Sequence, residues 1–547
     1  MTPMLLFALA VGQSVLAQPA DQAAAEESNR LDAAELERRG AIIGAITIRI
    51  DNVFDLNNPG ENRRLYRWAN GVHVTTLEGI VDSIILFESG DAFQARLLSE
   101  SARLLRSRGF TSDATAIPVR YDEATNTVDV EVWVHDSWSL KPSLKISRSG
   151  GENEYGIGIE EENLFGTGKN ITASYSTDVD RDELFFGYSD LNINGGRIRL
   201  DLGLANTSDG DRIAVSAGRP FFALDTRWSI TGNVLDEQRV DSIYELGEVI
   251  DEFRHDTRAL SIRGGRARSF GDGSARRLLG GLDFEEDKFL ATDVVPQPLL
   301  LPEDRKLVYP WVGMQFVEDD FREMTELNDM GRTEDIALGL NLFFSLGYAS
   351  KSLGSDRDAA IFSASVQKGW EPGGPGRLFL LDAAASTRVE DDGARNSIIV
   401  SSARYFHRNL GNNLFLASLR AALGNELDAE NQVLLGGDSG LRGYPLRYQS
   451  GERSAVLTLE QRFFTEWYPF RLLRFGYAVF LDAGRVWGTD RRGTQNLGTL
   501  YDVGVGLRLT SPRSSGRSVI HIDLAFPLNG DQSIDGVQLL VEKRASF

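Results

Sequence analysis

The sequence VQLLVEKRASF at residues 537–547 alternates between apolar and polar side chains and ends on an aromatic residue, Phe547. Its apolar side is interrupted only by Lys543. A period of two predicts a β-strand. In a membrane β-barrel, the apolar face of such a strand contacts lipid and a terminal aromatic residue lies at the membrane interface. We therefore predict that Phe547 is the C-terminal assembly signal of a bacterial outer-membrane barrel.

Similar alternating segments recur throughout residues 138–547. Examples are residues 197–205, 336–348, 503–509 and 520–526, and clusters rich in Gly, Asp and Ser separate them. We predict that 138–547 is a transmembrane antiparallel β-barrel with room for about 16 strands. The alternative is a soluble β-sandwich array or a β-helix. It is disfavoured by the terminal aromatic residue and by the absence of a fixed short repeat.

The first residues resemble an export signal. Residues 4–15 are mostly apolar, and Val15-Leu16-Ala17 offers a small-residue cleavage site, which predicts a signal peptide over residues 1–17. The usual positive charge before the apolar run is missing, so a short apolar helix of a cytoplasmic protein remains an alternative. Residues 18–40 are rich in Ala and Glu and have little apolar surface, which predicts a linker.

Residues 41–137 have a different pattern from the barrel. Ile46, Ile48 and Ile50 alternate with polar residues as in a strand, and residues 91–108 have helical spacing that ends at Gly109. Two further strands are predicted at 116–121 and 127–134. The order of strand, helices and two strands predicts a small α+β domain.

The composition excludes several classes of function. The formal net charge is -21, which argues against a nucleic-acid partner, and the absence of cysteine excludes thiol catalysis and thiolate metal sites. Gly437-Asp438-Ser439-Gly440 is similar to the nucleophile segment of trypsin-like proteases. The five histidines, however, show neither a partner motif nor metal-ligand spacing. We expect no enzymatic activity and no cofactor or metal.

Two stretches near the C-terminus combine glycine with charged and aromatic residues. Residues 436–445 are rich in glycine and contain Arg442 and Tyr444, and a later strand places Phe480, Asp482 and Gly484 on one face. A carboxylate inside a barrel can form a bidentate pair with a guanidinium group. We therefore predict contact between Arg442 and Asp482, with Glu460 as a second candidate partner. The alternative is that Arg442 is an exposed loop charge without a role.

These motifs resemble those of the BamA/TamA superfamily of outer-membrane assembly factors, which also contains the two-partner-secretion translocators. Residues 441–444 are similar to its Val/Ile-Arg-Gly-Phe/Tyr signature, and residues 480–484 to its Phe-x-Asp-x-Gly strand. Residues 163–168 resemble its first barrel hairpin, and residues 41–137 resemble a polypeptide-transport-associated (POTRA) domain. The resemblance implies a lock between a lumen loop and the barrel wall, formed by Arg442, Gly443, Tyr444, Glu460, Phe480, Asp482 and Gly484.

The resemblance also implies a function: insertion of proteins into the bacterial outer membrane or translocation across it. Its expected partners are outer-membrane lipids, unfolded client polypeptides and a periplasmic partner that docks on the POTRA domain. Only one POTRA domain fits before the barrel, whereas the central assembly factor has several and the secretion translocators usually have two. The alternative function is a passive pore or a structural surface antigen, with the POTRA domain in the periplasm in either case.

Overall fold

A computed structural model describes residues 32–270, 273–488, 497–515, 518–531 and 534–544. The predicted signal peptide, most of the predicted linker and Phe547 lie outside these residues. Within them, no helix combines the length and the hydropathy that a membrane-spanning helix needs.

The described N-terminal part is a small α+β domain. Its core contains the alternating valines of the third strand and the apolar side of the longest helix. In the three-stranded sheet, the first strand pairs with the third in parallel, and the second pairs with the third in antiparallel orientation. The elements are α1 Ala33–Arg38, β1 Ile42–Asp51, α2 Arg64–Val72, α3 Glu78–Ile84, α4 Ala95–Arg106, β2 Thr111–Asp122 and β3 Thr127–Asp136.

The end of the predicted linker belongs to this domain. Leu36 on α1 is buried in the domain core, and the amide of Ala95 donates a hydrogen bond to Glu37. One apolar side chain is too little for α1 to fold alone, but the cleft beside α4 covers it. The linker prediction was therefore wrong for the stretch that contains α1.

The rest of the described chain is built around a closed antiparallel barrel. Its strands and two additional hairpins are β4 Leu140–Ser149, β5 Glu152–Glu161, β6 Lys169–Thr177, β7 Asp182–Ile193, β8 Ile198–Thr207, β9 Gly210–Arg219, β10 Trp228–Glu245, β11 Glu248–Phe270, β12 Ser274–Leu290, β13 Arg305–Glu318, β14 Phe321–Thr325, β15 Thr333–Ala337, β16 Asn341–Ala349, β17 Ala359–Trp370, β18 Arg377–Glu390, β19 Gly393–Asn409, β20 Asn413–Asn425, β21 Val433–Leu435, β22 Gln449–Gly451, β23 Arg453–Phe464, β24 Arg474–Trp487, β25 Leu500–Thr510, β26 Val519–Pro527 and β27 Gln538–Arg544.

The predicted fold class is confirmed, but the strand count is not. Across the described residues the barrel wall has 20 strands rather than about 16. The smaller number assumed long loops between strands. Many connections are short turns instead, such as residues 150–151, 246–247 and 391–392, so the same length of chain forms more strands.

Alternation along each strand separates the two faces of the wall. On β26, Ile520, Leu524 and Phe526 are exposed on the outer face, whereas His521 and Asp523 are buried on the inner face. This is the apolar-out, polar-in arrangement that lipid around the barrel requires.

One predicted strand is divided in the structure. Residues 336–348 were predicted as a continuous strand, but the chain turns at Gly339 between β15 and β16. Only β16 belongs to the wall; β14 and β15 form a separate hairpin. Ile336 packs against Leu378 and Phe406 of the wall, so its partners are apolar although it does not face lipid. Alternation by itself does not distinguish these two environments.

Candidate functional site

A loop between β21 and β22 enters the barrel from the end opposite the small domain. These two short strands pair from Val433 opposite Gly451 to Leu435 opposite Gln449, and this pairing closes the base of the loop. Gly440 has a φ of 113°, a conformation that favours glycine. The loop then buries Leu441 and Tyr444 completely. The glycine-rich sequence thus folds into a compact loop inside the lumen.

Arg442 on this loop is surrounded by carboxylates of the wall. Its Nε and Nη2 donate to the two oxygens of Asp482 at 2.7 and 3.1 Å. Its Nη1 donates to Glu460 at 3.0 Å and to Asp523 at 3.2 Å. Its Cζ lies 3.3 Å from the centroid of the Phe480 ring. The guanidinium group is therefore held by a bidentate pair, two further carboxylates and an aromatic face.

Two more arginines complete the cluster. Arg462 Nε donates to Glu460 at 2.8 Å, and Arg508 donates to both Glu460 and Asp523. Three buried guanidinium groups therefore interact with three buried carboxylates. Buried charges are stable only when they are paired and hydrogen-bonded. Removal of one member therefore leaves its partners with a large desolvation cost that no ion pair compensates.

Small residues allow the loop to approach the wall. A Cβ on Gly443 would lie 2.7 Å from Cβ of Asp502 on β25, and a Cβ on Gly484 would lie 3.0 Å from Leu441. The hydroxyl of Tyr444 lies 2.8 Å from the backbone oxygen of Tyr501, which fixes the far side of the loop. Glycine at these two positions is therefore a packing requirement.

The structure thus brings together all the residues that the sequence proposed for the lock, although their role remains a prediction. Sequence reasoning missed Arg462, Arg508 and Asp523. A signal was available, because each of them lies on the polar side of an alternating strand. Which of these charges meet in the lumen depends on strand register. Ser439, in the protease-like segment, accepts a hydrogen bond from the amide of Gly436 and so closes a turn.

The β14–β15 hairpin enters the lumen from the opposite side, the end that carries the small domain. The connection between its strands buries Leu327, and Glu334 accepts hydrogen bonds from the amides of residues 327–329. Arg462 donates to the backbone oxygen of Leu327 at 2.8 Å. The hairpin and the lumen loop therefore contact the same arginine–carboxylate cluster from opposite ends.

The small domain holds this hairpin through α4. Arg106 donates to Asp335 at 2.9 Å and to Glu323 at 2.7 Å, and the guanidinium of Arg103 lies 3.7 Å from the centroid of the Phe321 ring. Burial alone would lower the pKa of Arg106, but the hydrogen bond and charge of Asp335 outweigh it and raise that pKa. A buried arginine of the small domain thus neutralises the acidic side of the hairpin.

The barrel closes between its last and first strands with little pairing. Within the described residues, β27 and β4 lie side by side but are paired only at Val541 opposite Arg148. By contrast, β26 and β27 pair continuously from Val519 opposite Arg544 to Ala525 opposite Gln538. We call the β27–β4 junction the seam. It is the weakest hydrogen-bonded junction of the described wall.

Comparison with known proteins found one matching family model and several similar solved structures. Residues 401–541 match the Omp85 superfamily domain. No curated protein matches the sequence. Among solved structures, BamA from Haemophilus ducreyi lacking POTRA domains 1-3 is similar, with 11% identity over 91% of this chain and 84% of that chain and a TM-score of 0.38.

Two CdiB structures are also similar. CdiB from Acinetobacter baumannii has 13% identity over 92% of this chain and 73% of its own, with a TM-score of 0.45. CdiB from Escherichia coli has 12% identity over 97% and 99%, with a TM-score of 0.35.

The segment that matches the superfamily domain contains the whole arginine–carboxylate cluster and the loop of Arg442. The superfamily to which this matched domain belongs inserts proteins into the outer membrane or translocates them across it. This match supports an outer-membrane location for the barrel. Residues 401–541 therefore carry an Omp85 superfamily domain, in agreement with the resemblance of the chain's motifs to the BamA/TamA superfamily.

Proposed function

We propose that this protein inserts client β-barrels into the outer membrane by opening the seam between β27 and β4. The observation that carries this proposal is the sparse pairing at that junction, where Val541 and Arg148 are the only paired residues among those described. Each unpaired backbone group in lipid is costly, so a client strand that pairs with β27 or β4 would be stabilised there. Client folding and burial in lipid would supply the driving force.

Two elements inside the lumen favour this route over passage through the barrel. Translocation through the lumen would require both the loop of Arg442 and the β14–β15 hairpin to leave the cluster they share. Opening the seam breaks far fewer contacts. The same two elements would restrict solute passage in a passive pore, the alternative function.

The proposal gives the small domain the role of a POTRA domain in the periplasm, with the predicted residues 41–137 preceded by α1, after a cleaved signal peptide. Strand β2 is an edge of its sheet and exposes Ile117 and Val119. An extended client segment would add to this edge through main-chain hydrogen bonds. Asp113, at the start of β2, accepts a hydrogen bond from Thr333 of the β14–β15 hairpin, so the beginning of that edge strand lies close to the barrel mouth.

A reversible disulfide crosslink tests the proposal. Because the chain has no native cysteine, only the two introduced cysteines of each variant can form a disulfide within it. The variant Arg148→Cys/Val541→Cys would close the seam when oxidised, whereas Leu524→Cys/Leu539→Cys would join β26 to β27, a junction that is already fully paired. Both would be reconstituted in liposomes with a urea-denatured small outer-membrane barrel as client. Client folding would be followed by resistance to unfolding in detergent without heating.

We expect oxidation to abolish client folding only in the seam variant, and reduction to restore it. Equal activity of the oxidised and reduced seam variant would refute seam opening. Ion conductance of the same liposomes would be measured in parallel, because conductance that persists while client folding is absent in every variant would favour the pore. Loss of particular barrels from the outer membrane after gene deletion would identify the natural clients.

A further inference from the structure

Helix α2 of the small domain has an exposed apolar stripe. Leu65, Trp68 and Val72 follow one another at helical spacing and are exposed, with Trp68 exposed by 63%. The opposite side of the helix buries Tyr66 and Ala69 instead. Apolar residues at this spacing normally face a protein core. The stripe therefore lacks a cover within the described residues.

The buried side of α2 fixes this stripe to the rim of the barrel. The ring of Tyr66 stacks on Phe54 at 4.6 Å, and its hydroxyl donates to the backbone oxygen of Phe470 at 2.5 Å. Just before the helix, Glu61 accepts from Arg471 at 3.0 Å and from Arg513 at 2.8 Å. The helix is therefore held against the β23–β24 and β25–β26 turns, with its apolar stripe on the other side.

Both ends of the helix region lie beside an exposed aromatic residue. Phe470 lies in the β23–β24 turn, and Phe165 lies in the β5–β6 turn, where the amide of Leu77 donates to the backbone oxygen of Gly166 at 3.0 Å. The two rings are exposed by 71% and 75%. Their φ angles are 53° and 54°, a region that bulky residues rarely adopt. Two strained backbones thus present rings that are largely exposed rather than packed within the described part of the chain.

Basic residues flank the apolar stripe. Arg63, Arg64 and Arg67 are all exposed, although the whole chain has a formal net charge of -21. Helices that lie in a membrane interface combine an apolar face that contains Trp or Leu with basic residues that reach lipid phosphates. Aromatic residues at the ends of membrane strands occupy the same level. The stripe, the two rings and the arginines have this composition.

We infer that α2, together with Phe165 and Phe470, lies on the phospholipid surface beside the barrel and holds the small domain against the membrane. The argument for lipid is continuity, because Phe165 and Phe470 belong to turns of strands whose outer faces are already lipid-facing. Residues 18–31 are a poor alternative cover, since Leu31 is their only large apolar residue. The inference is independent of the function proposed above.

Single-cysteine labelling of the full-length protein tests this contact. Val72→Cys would carry an environment-sensitive fluorophore, and Val119→Cys on β2 is a matched control. The two valines are similarly exposed. Val119 lies near the turn that connects β2 to β3, and the chain enters the barrel only at the opposite end of β3. The label at residue 119 is therefore remote from the barrel. Both proteins would be reconstituted in phosphatidylcholine vesicles, with and without phosphatidylglycerol, and with brominated lipid as quencher.

We expect a blue shift and at least twofold quenching by brominated lipid for the label at residue 72, and neither for the label at residue 119. Phosphatidylglycerol should increase the quenching, and Arg64→Gln/Arg67→Gln should remove that increase. Equal quenching at both positions would overturn the inference, and so would the absence of quenching at both. A blue shift at residue 72 without quenching would also overturn it, because it would assign the cover to another segment of this chain.

Discussion

Removal of the Arg442 side chain should release the lumen loop while the barrel stays inserted. Arg442→Ala deletes four hydrogen bonds and leaves Asp482, Glu460 and Asp523 with only two guanidinium groups. Breaking a buried ion pair from one side costs about 3–5 kcal/mol. Since 1.36 kcal/mol is a factor of ten, the population of undocked loop should rise roughly 10²- to 10⁴-fold.

The partner variant should have a smaller effect. Asp482→Ala deletes two of these hydrogen bonds, but Arg442 keeps Glu460 and Asp523, so we expect a cost near the lower limit, about 3 kcal/mol. Arg442→Lys should restore docking only in part, because an ammonium group cannot form the planar bidentate pair with Asp482. The double variant Arg442→Ala/Asp482→Ala should fall short of the summed single effects by about 1–3 kcal/mol, because the residues interact directly.

The assay is proteolysis of the inserted protein in liposomes by a protease that cleaves after aromatic residues. Such a protease has sites at Tyr444 and Tyr448 and does not depend on Arg442 itself. Asp438→Ala is the matched control, because Asp438 is exposed in the same loop and should change docking by less than about 0.5 kcal/mol. Strictly additive single effects would refute the pairing and would assign the role of the motif to backbone shape.

Four further outcomes are expected from the sequence and the structure. The protein should fractionate with the outer membrane and migrate faster unheated than boiled, because a closed barrel resists detergent; recovery as a soluble periplasmic monomer would contradict the barrel. Deletion of Phe547 should reduce the amount of inserted protein far more than Ser546→Ala, measured by the same gel shift, and equal amounts would show that the terminus is not a signal. Gly443→Ala should destabilise loop docking by about 1–3 kcal/mol through overpacking, measured by the proteolysis assay. Unchanged cleavage would mean that the wall residues move aside for the added methyl group. Arg106→Ala should expose the β14–β15 hairpin to protease and raise ion conductance, whereas Arg120→Ala, which removes only a surface ion pair, should change neither; equal behaviour would exclude a role for Arg106 in holding the hairpin.

Several features of this protein could be predicted from sequence because they are local. Alternation in β25 and β26 identified wall strands and their lipid-facing sides, since successive side chains of a strand point to opposite faces. The helical spacing of residues 91–108 located α4 in the same way. The contact of Arg442 with Asp482 could be anticipated because a glycine-rich loop and an inward carboxylate limit the available partners.

Other features depended on closure of the barrel. The strand count required the true turn lengths, and the division of residues 336–348 required the environment of Ile336, which packs inside the lumen. Helix α1 could be assigned to the small domain only once the cleft that covers Leu36 existed.

The sequence by itself therefore determined the class of fold, the lipid-facing pattern of the strands and the loop that carries the central arginine. Only the tertiary structure decided that Arg462, Arg508 and Asp523 join that arginine, that a second hairpin meets the same cluster from the other end, and that the stripe on α2 faces outward. The physical reason is the distance along the sequence over which each feature is set. Backbone periodicity is set by adjacent residues, whereas the contents of the lumen depend on the register and curvature of strands that are distant in sequence.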